Sequence, residues 1–403
     1  MLFVVALLVS APVLELDAEL RDEFRVREHI SGDLGNGRVA FDVQVEPGLG
    51  LRLAEPRWSL TVLYNPRFLA REPYARTHTE ILHRAQIVFD AQLSRRLRVS
   101  VGEFFSYGDY DISSLVDVFN VQNGKIDSIP NVTTLRYVST YATAQIAFQV
   151  NREVGLRMLG SFFDGGGADA TARVAVPIQK EAREQLDISV LAARADALVT
   201  SFAATQDEFS TGQRYVGGEA SELYQHRFSR FTELDLTAGL QIIEAQSTPG
   251  AHHRTDVFPE GIIAITHTVA LAELGDVATV APAATDAQQA LELRADLSAG
   301  PYYDRTTGQV YERTGADVGM TYRFSRRWSL ELRGGVVLSL KKPQATQDVI
   351  ALGQLGFIYR IAPYMALEAG ARELVEALVF VRGPPQEQWL TFFSFTWNVR
   401  QKV

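Results

Sequence analysis

The chain of 403 residues contains no cysteine. That excludes a disulfide framework, a thiolate nucleophile and a thiolate metal site. An excess of positive charge is missing as well. Lysine and arginine number 39 against 48 aspartates and glutamates, a formal net charge of -9, so the basic surface that nucleic-acid binding requires is absent. Long apolar runs are also lacking. The only continuous one is MLFVVALLVSAPV at the start, and its core from Leu2 to Val9 falls far short of the roughly 20 residues a spanning helix needs. Followed by the small residues Ser10 and Ala11, this run reads as a secretory signal peptide over residues 1–11, without the usual basic n-region. An exported chain of this kind ends in the periplasm, in the outer membrane or outside the cell.

Reaction centres are equally scarce. DGGGAD at 164–169 has neither the lysine of a phosphate loop nor the ligand spacing of a calcium loop. AHHR at 251–254 offers two adjacent histidines that point apart in an extended chain, with no third ligand at a metal-site spacing. NVT at 131–133 matches a glycosylation acceptor by chance frequency. No GxSxG elbow occurs, and His83 and His267 fall on the apolar side of their segments, where a general base has no use. The sequence therefore assigns no catalytic, cofactor-binding or metal-ligating residue. A hydrolase is the minor alternative.

What the sequence has in abundance is alternation. In FSRRWSLELRGGVVLSL, residues 324–340, Trp328, Leu330, Leu332, Val336, Leu338 and Leu340 share one side of an extended chain, and Ser329, Glu331, Arg333 and Ser339 the other. RVAFDVQVE, EILHRAQIVFDAQL, FTELDLTAGLQI and ALELRADLSA repeat the pattern. The period is two over segments of about ten residues, the length of strands that cross a bilayer at a tilt. Connectors alternate too. Short ones such as LSRRL (93–97), NREV (151–154) and FSRRW (324–328) are interleaved with long ones such as 108–131 and 164–184. Candidate strands begin near 14, 38, 57, 80, 97, 132, 154, 185, 197, 214, 231, 260, 289, 309, 328, 348, 364 and 388, eighteen in all. The first and those near 214 and 364 are weak, so sixteen is the alternative count. IQKEAREQLDISVLAARADAL, beginning at 178, also carries helical spacing, and a short helix there is a second reading.

The polar face of these strands is ionised. It carries Arg84 and Asp90, Arg98, Arg157, Glu233 and Asp235, then Glu292, Arg294 and Asp296, then Arg313 and Asp317, Glu331 and Arg333, and finally Arg360, Glu368 and Arg372. The apolar face is rich in Leu, Val, Ile and Ala at strand centres and places its large aromatics near strand ends. A soluble sandwich core would put bulk in its middle; a lipid-facing wall has no such need. On that assignment Glu103 and Glu222 fall on the lipid side, so they sit at an interface or the register there is wrong. PRWSL (56–60) and RRWSL (326–330) set Trp58 and Trp328 just past a basic turn, where an aromatic girdle belongs.

At this point the chain resembles the Gram-negative outer-membrane β-barrel proteins, and among them the large porin-like barrels. The final strand, WLTFFSFTWNV at 389–399, lines Phe393, Phe395 and Trp397 along one face, similar to the aromatic C-terminal strand that the family's barrel-assembly machinery recognises. Here RQKV follows, where the family ends on an aromatic residue. The resemblance implies an all-β fold: over residues 12–403, one closed antiparallel transmembrane barrel with short periplasmic turns and longer extracellular loops. It also implies surroundings of outer-membrane lipid and lipopolysaccharide. The insertion 108–131 is expected to be a constriction or a cap. The expected function is an aqueous, weakly selective channel for polar solutes or a polymer, because acidic and basic lining residues nearly balance. The rival expectation is a plugged barrel in polysaccharide export, working with periplasmic export components. A soluble multi-domain β protein ranks third.

Overall fold

The computed structural model describes residues 13–29, 38–72, 79–110, 135–246, 254–270, 290–304, 309–339, 348–378 and 386–402. Residues 1–11, read above as a signal peptide, and residues 111–134 of the long insertion and its flank lie outside these residues.

Among the described residues there are nineteen strand segments. In chain order they are β1 Val13–His29, β2 Arg38–Glu55, β3 Trp58–Tyr64, β4 Arg67–Glu72, β5 Thr79–Gln92, β6 Leu97–Tyr110, β7 Leu135–Gln149, β8 Val154–Gly167, β9 Gln179–Leu191, β10 Asp196–Phe209, β11 Arg214–Ser229, β12 Thr232–Gln246, β13 Arg254–Ala270, β14 Ala290–Asp304, β15 Gln309–Arg323, β16 Trp328–Ser339, β17 Asp348–Ala362, β18 Met365–Leu378 and β19 Gln386–Lys402. Apart from β3 and β4, which do not pair with each other, each pairs antiparallel with its neighbours in sequence, and β1 pairs with β19, so the sheet has no free edge. β3 and β4 are two halves of one wall strand, both paired with β2 and β5 and separated at Asn65 and Pro66. The wall is a closed barrel of 18 strands, the larger of the two counts. The segments near 214 and 364 are full strands.

The short turns are built by side chains that the sequence repeats. In LSRRL the Ser94 hydroxyl accepts from the backbone N–H groups of Arg96 and Leu97 at 3.2 and 3.1 Å. In FSRRW, Ser325 accepts from Arg327 and Trp328, both at 3.2 Å. Asn151 does the same for Glu153 and Val154 in NREV. Such turns use a local side-chain acceptor to satisfy donors that no ladder reaches. They share one end of the barrel, the turn end, with the start of β1 and the close of β19, where Glu15 stands between Arg52 and Lys402 in the ladder register.

Burial runs opposite to that of a soluble protein. On β12, Leu240 and Ile242 are exposed, while Gln241 and Ile243, which point the other way, are buried. On β1, Leu16 and Phe24 are exposed, whereas Glu15, Glu23 and Arg25 are buried. The greasy side of each zigzag faces outward and the ionised side faces the lumen, which is the arrangement for a hydrocarbon surround. Among the described residues no helix is long and apolar enough to span a membrane, which does not bear on crossing with strands.

Three expectations need correction. Residues 179–191 form strand β9, not a helix: Lys180, Ala182, Glu184 and Leu186 point outward and Arg183, Gln185 and Asp187 inward. The only described helix is α1, Ala170–Ala175, whose first turn is capped by the Asp169 carboxylate accepting from the Ala172 N–H at 2.8 Å. β13 starts at Arg254, not near 260, and β6 runs through Gly108 to Tyr110, so the long insertion starts at 111. Glu103 and Glu222 do face outward in a regular register, Glu103 opposite Ala142 and Glu222 opposite Ala238.

Candidate functional site

The inner wall of the barrel is the one surface where ionised side chains converge. Along it, charges of opposite sign are held in pairs that reach from strand to strand. Arg157 on β8 faces its register partner Asp187 on β9, with Nε 2.6 Å from the carboxylate. Asp187 also accepts from Gln185 at 2.7 Å and from Ser201 on β10 at 2.8 Å. Arg183 on β9 crosses the face of β10 to Glu219 on β11 at 2.8 Å. The small side chain of Ala203, the register partner of Glu219, leaves the space for that crossing. Arg333 on β16 reaches Asp317 on β15 at 3.0 Å, close beside Gly335. Arg84 on β5 spans the break between β3 and β4 to Glu46 on β2 at 3.0 Å.

The other inner-face residues expected from the sequence are placed as follows. Asp90 pairs with Arg98 at 3.1 Å, Glu233 with Arg227 at 3.2 Å and Asp296 with Arg294 at 3.5 Å. Asp235 accepts from Gln225 at 3.2 Å, and Arg313 donates to the Tyr311 hydroxyl at 3.1 Å. Arg372 lies against the Phe392 ring. Glu292 of β14 is the register partner of Thr321, while Glu331, Arg360 and Glu368 fall on the lumen side of β16, β17 and β18. These groups do not gather into one cluster. They are spread around the wall, and most are neutralised locally. Among the described residues no group of three or more His, Asp or Glu could hold a metal ion.

Several wall residues escaped the expected set. Arg183 was hidden by the helical reading of its segment, and Glu219 by the weakness of β11; the period-two series Gln179, Glu181, Arg183, Gln185 and Asp187 is the signal that would have exposed the first. Gln44, 2.6 Å from both Arg25 and Glu46, belongs to a buried chain that runs Glu23, Arg25, Gln44, Glu46 across β1 and β2. Toward the loop end the lumen side changes character. Phe209, Tyr215, Ile243 and Phe258 pack together there on β10 to β13, and Tyr311 and Ile350 are likewise buried; all are buried although their strands turn them inward.

On the outer surface Trp58 lies 6.4 Å from Phe89, and Trp328 stacks on Tyr359 at 4.4 Å, both next to short turns. Trp397 faces outward opposite Met365 near the same end. Phe393 and Phe395 share its face higher up, with Phe393 opposite Phe24 and Phe395 opposite Asp22.

A model of the EpsX exopolysaccharide export family matches residues 7–377. Among solved structures, the chain is similar to the outer-membrane protein OpdK of Pseudomonas aeruginosa, at 9% identity, covering 96% of this chain and 99% of that one with a TM-score of 0.51. The OpdK structure with vanillate gives 10% identity, the same coverages and a TM-score of 0.52. OccAB2 of Acinetobacter baumannii gives 10% identity, coverages of 96% and 98% and a TM-score of 0.51. At such identities the likeness shows the fold alone: a porin-like barrel of the outer membrane. No curated protein matches the chain by sequence.

Proposed function

The chain belongs to the EpsX exopolysaccharide export family, and from that premise we propose that its barrel is the aqueous outer-membrane conduit through which an exopolysaccharide leaves the cell. The inner wall supports this reading. An 18-strand barrel is wide enough for an aqueous lumen, and a wall of paired arginines and carboxylates offers donors and acceptors to a hydroxyl-rich chain at many successive positions. Because Arg157, Arg183, Arg333 and Arg84 each face a carboxylate, these charges form no ring of one sign among the described residues. Rings of one sign are what select ions, so the conduit discriminates weakly between small cations and anions. In this setting lipid and lipopolysaccharide surround the outer face, and the aromatic strand β19 serves the barrel-assembly machinery.

A specific observation favours a second reading. The apolar, shielded residues on the lumen side at the loop end, Phe209, Tyr215, Ile243 and Phe258 among them, are what a lumen closed at that end would display. The barrel would then be a plugged structural or assembly component that acts with periplasmic export components. Planar-bilayer recording on the purified, folded chain separates the two. Conductance steps with a reversal potential near zero in a salt gradient support the conduit; strong ion selectivity overturns the weakly selective lumen. Folded protein that stays silent overturns the open conduit in favour of the plugged barrel.

A further inference from the structure

Where β18 meets β19, the inner wall carries an arginine that has two guanidinium nitrogens without a hydrogen-bond partner among the described residues. The guanidinium carbon of Arg372 lies 4.5 Å from the centroid of the Phe392 ring. Phe392 stands opposite Gly370 in the β18–β19 register. A Cβ at Gly370 would come within 2.8 Å of two atoms of that ring and 2.4 Å of the Leu355 carbonyl oxygen, so only glycine lets the ring lie flat against the wall. The ring in turn clamps the guanidinium by a cation–π contact. Arg372 and Phe392 retain 8% and 4% of their exposure.

The fork so held has donors to spare. Among the described residues, Nε and Nη1 of Arg372 have no hydrogen-bond partner. Two carboxylates act on it, Glu23 and Glu368: one oxygen of Glu23 accepts from Arg25 at 2.5 Å and the other from Arg21 at 3.1 Å, and Glu368 makes no hydrogen bond to Nε or Nη1. A guanidinium presents a carboxylate with two edges, one ending in Nε and one in Nη1, and each edge therefore keeps a donor in reserve. Leaving buried, charged donors unmatched is costly, and the neighbour across the β17 register is Gln354, an uncharged amide on the same inner face.

We propose that Arg372, braced by Phe392 and Gly370, is a binding subsite for the carboxylate of an acidic sugar, so that the exported polymer contains uronic-acid-type residues. The proposal rests on the conduit reading for its substrate class, but its test does not depend on conduction. Trigalacturonate and the neutral maltotriose are titrated calorimetrically into the detergent-folded full chain, wild type and Arg372→Gln, with folding checked by heat-modifiable migration. The expected result is binding of trigalacturonate, no binding of maltotriose, and an affinity loss of about tenfold or more in Arg372→Gln, the scale of a lost charge-assisted hydrogen bond. Should Arg372→Gln not fold, Arg372→Lys carries the same comparison, since it keeps the charge and loses the fork. Equal affinity in the variant, or no binding by the wild type, overturns the subsite even in a conducting barrel. Binding that depends on Arg372 in a barrel that never conducts leaves the subsite standing and overturns the conduit.

Discussion

Arg84 lies 3.0 Å from Glu46 and, with the same guanidinium, caps the one interruption described in the barrel wall. Its Nη2 donates to the Asn65 side chain at 2.6 Å and its Nε to the Asn65 carbonyl oxygen at 3.1 Å. Pro66, which follows, has no N–H to give to the ladder. The arginine thus supplies donors to the oxygens of Asn65 at the break, where the following proline supplies none.

Arg84→Ala is therefore expected to destabilise the barrel by about 1–3 kcal/mol, the range for charge-assisted hydrogen bonds whose partners stay half-buried. The urea midpoint of the barrel folded into lipid vesicles measures it. An unchanged midpoint would mean that Asn65 and Pro66 need no bridge.

The two faces of β12 are expected to respond oppositely to charge. Leu240→Arg, on the outer face far from either strand end, should cost about 2–4 kcal/mol in vesicles, as arginine near the bilayer midplane does. Thr237→Arg, on the lumen side of the same strand, should cost well under half of that. Similar losses at both positions would reverse the assignment of inside and outside.

Because the native chain has no cysteine, a single introduced thiol reports its own surroundings. In vesicles, Thr237→Cys is expected to react with a charged methanethiosulfonate reagent, and its neighbour Ala238→Cys to remain unmodified until the barrel is denatured. Equal labelling of the two would be incompatible with a lipid-covered face at 238.

Glu222 poses a separate test. It lies seven residues from Ser229 and eight from Arg214 on β11, and a tilted strand climbs roughly 2.5 Å per residue along the barrel axis, which sets it near mid-membrane. Glu222→Leu should raise stability in pure phosphatidylcholine vesicles by about 1 kcal/mol, since an outward carboxylate there is a smaller liability than arginine but a liability still. A loss in place of the gain would show that the carboxylate makes a stabilising contact on the outer wall.

Much of this architecture was legible because one period governs nearly the whole chain. Alternation on β12, β14 and β16 fixed both the strands and their faces, because most inward positions along them are polar for the same reason. Legibility failed where two periods coincide. Ala182, Leu186 and Leu191 satisfy a helix, yet Arg183 and Asp187 alternate with them as a strand, and the pairing of β9 with β8 and β10 decides between the two. The inner-face residues were visible one by one, but not their pairing. That Arg183 meets Glu219 over Ala203, or that Gly370 makes room for Phe392 beneath Arg372, depends on register between strands, and no single segment contains that information.

The pairing of β1 with β19 has a consequence for the order of events in assembly. Thr391 donates to the carbonyl of Val26 across a sequence separation of 365 residues, so the seam joins the earliest strand to the last. Each other neighbour pair can zip as it arrives, whereas β1 must wait with an open edge until β19 appears, and unsatisfied edges recruit wrong partners. Loop-closure entropy makes that final contact the slowest to form. A chain cut before β19 would be left a curled sheet with two bare rims, unable to seal however stable its other strand pairs.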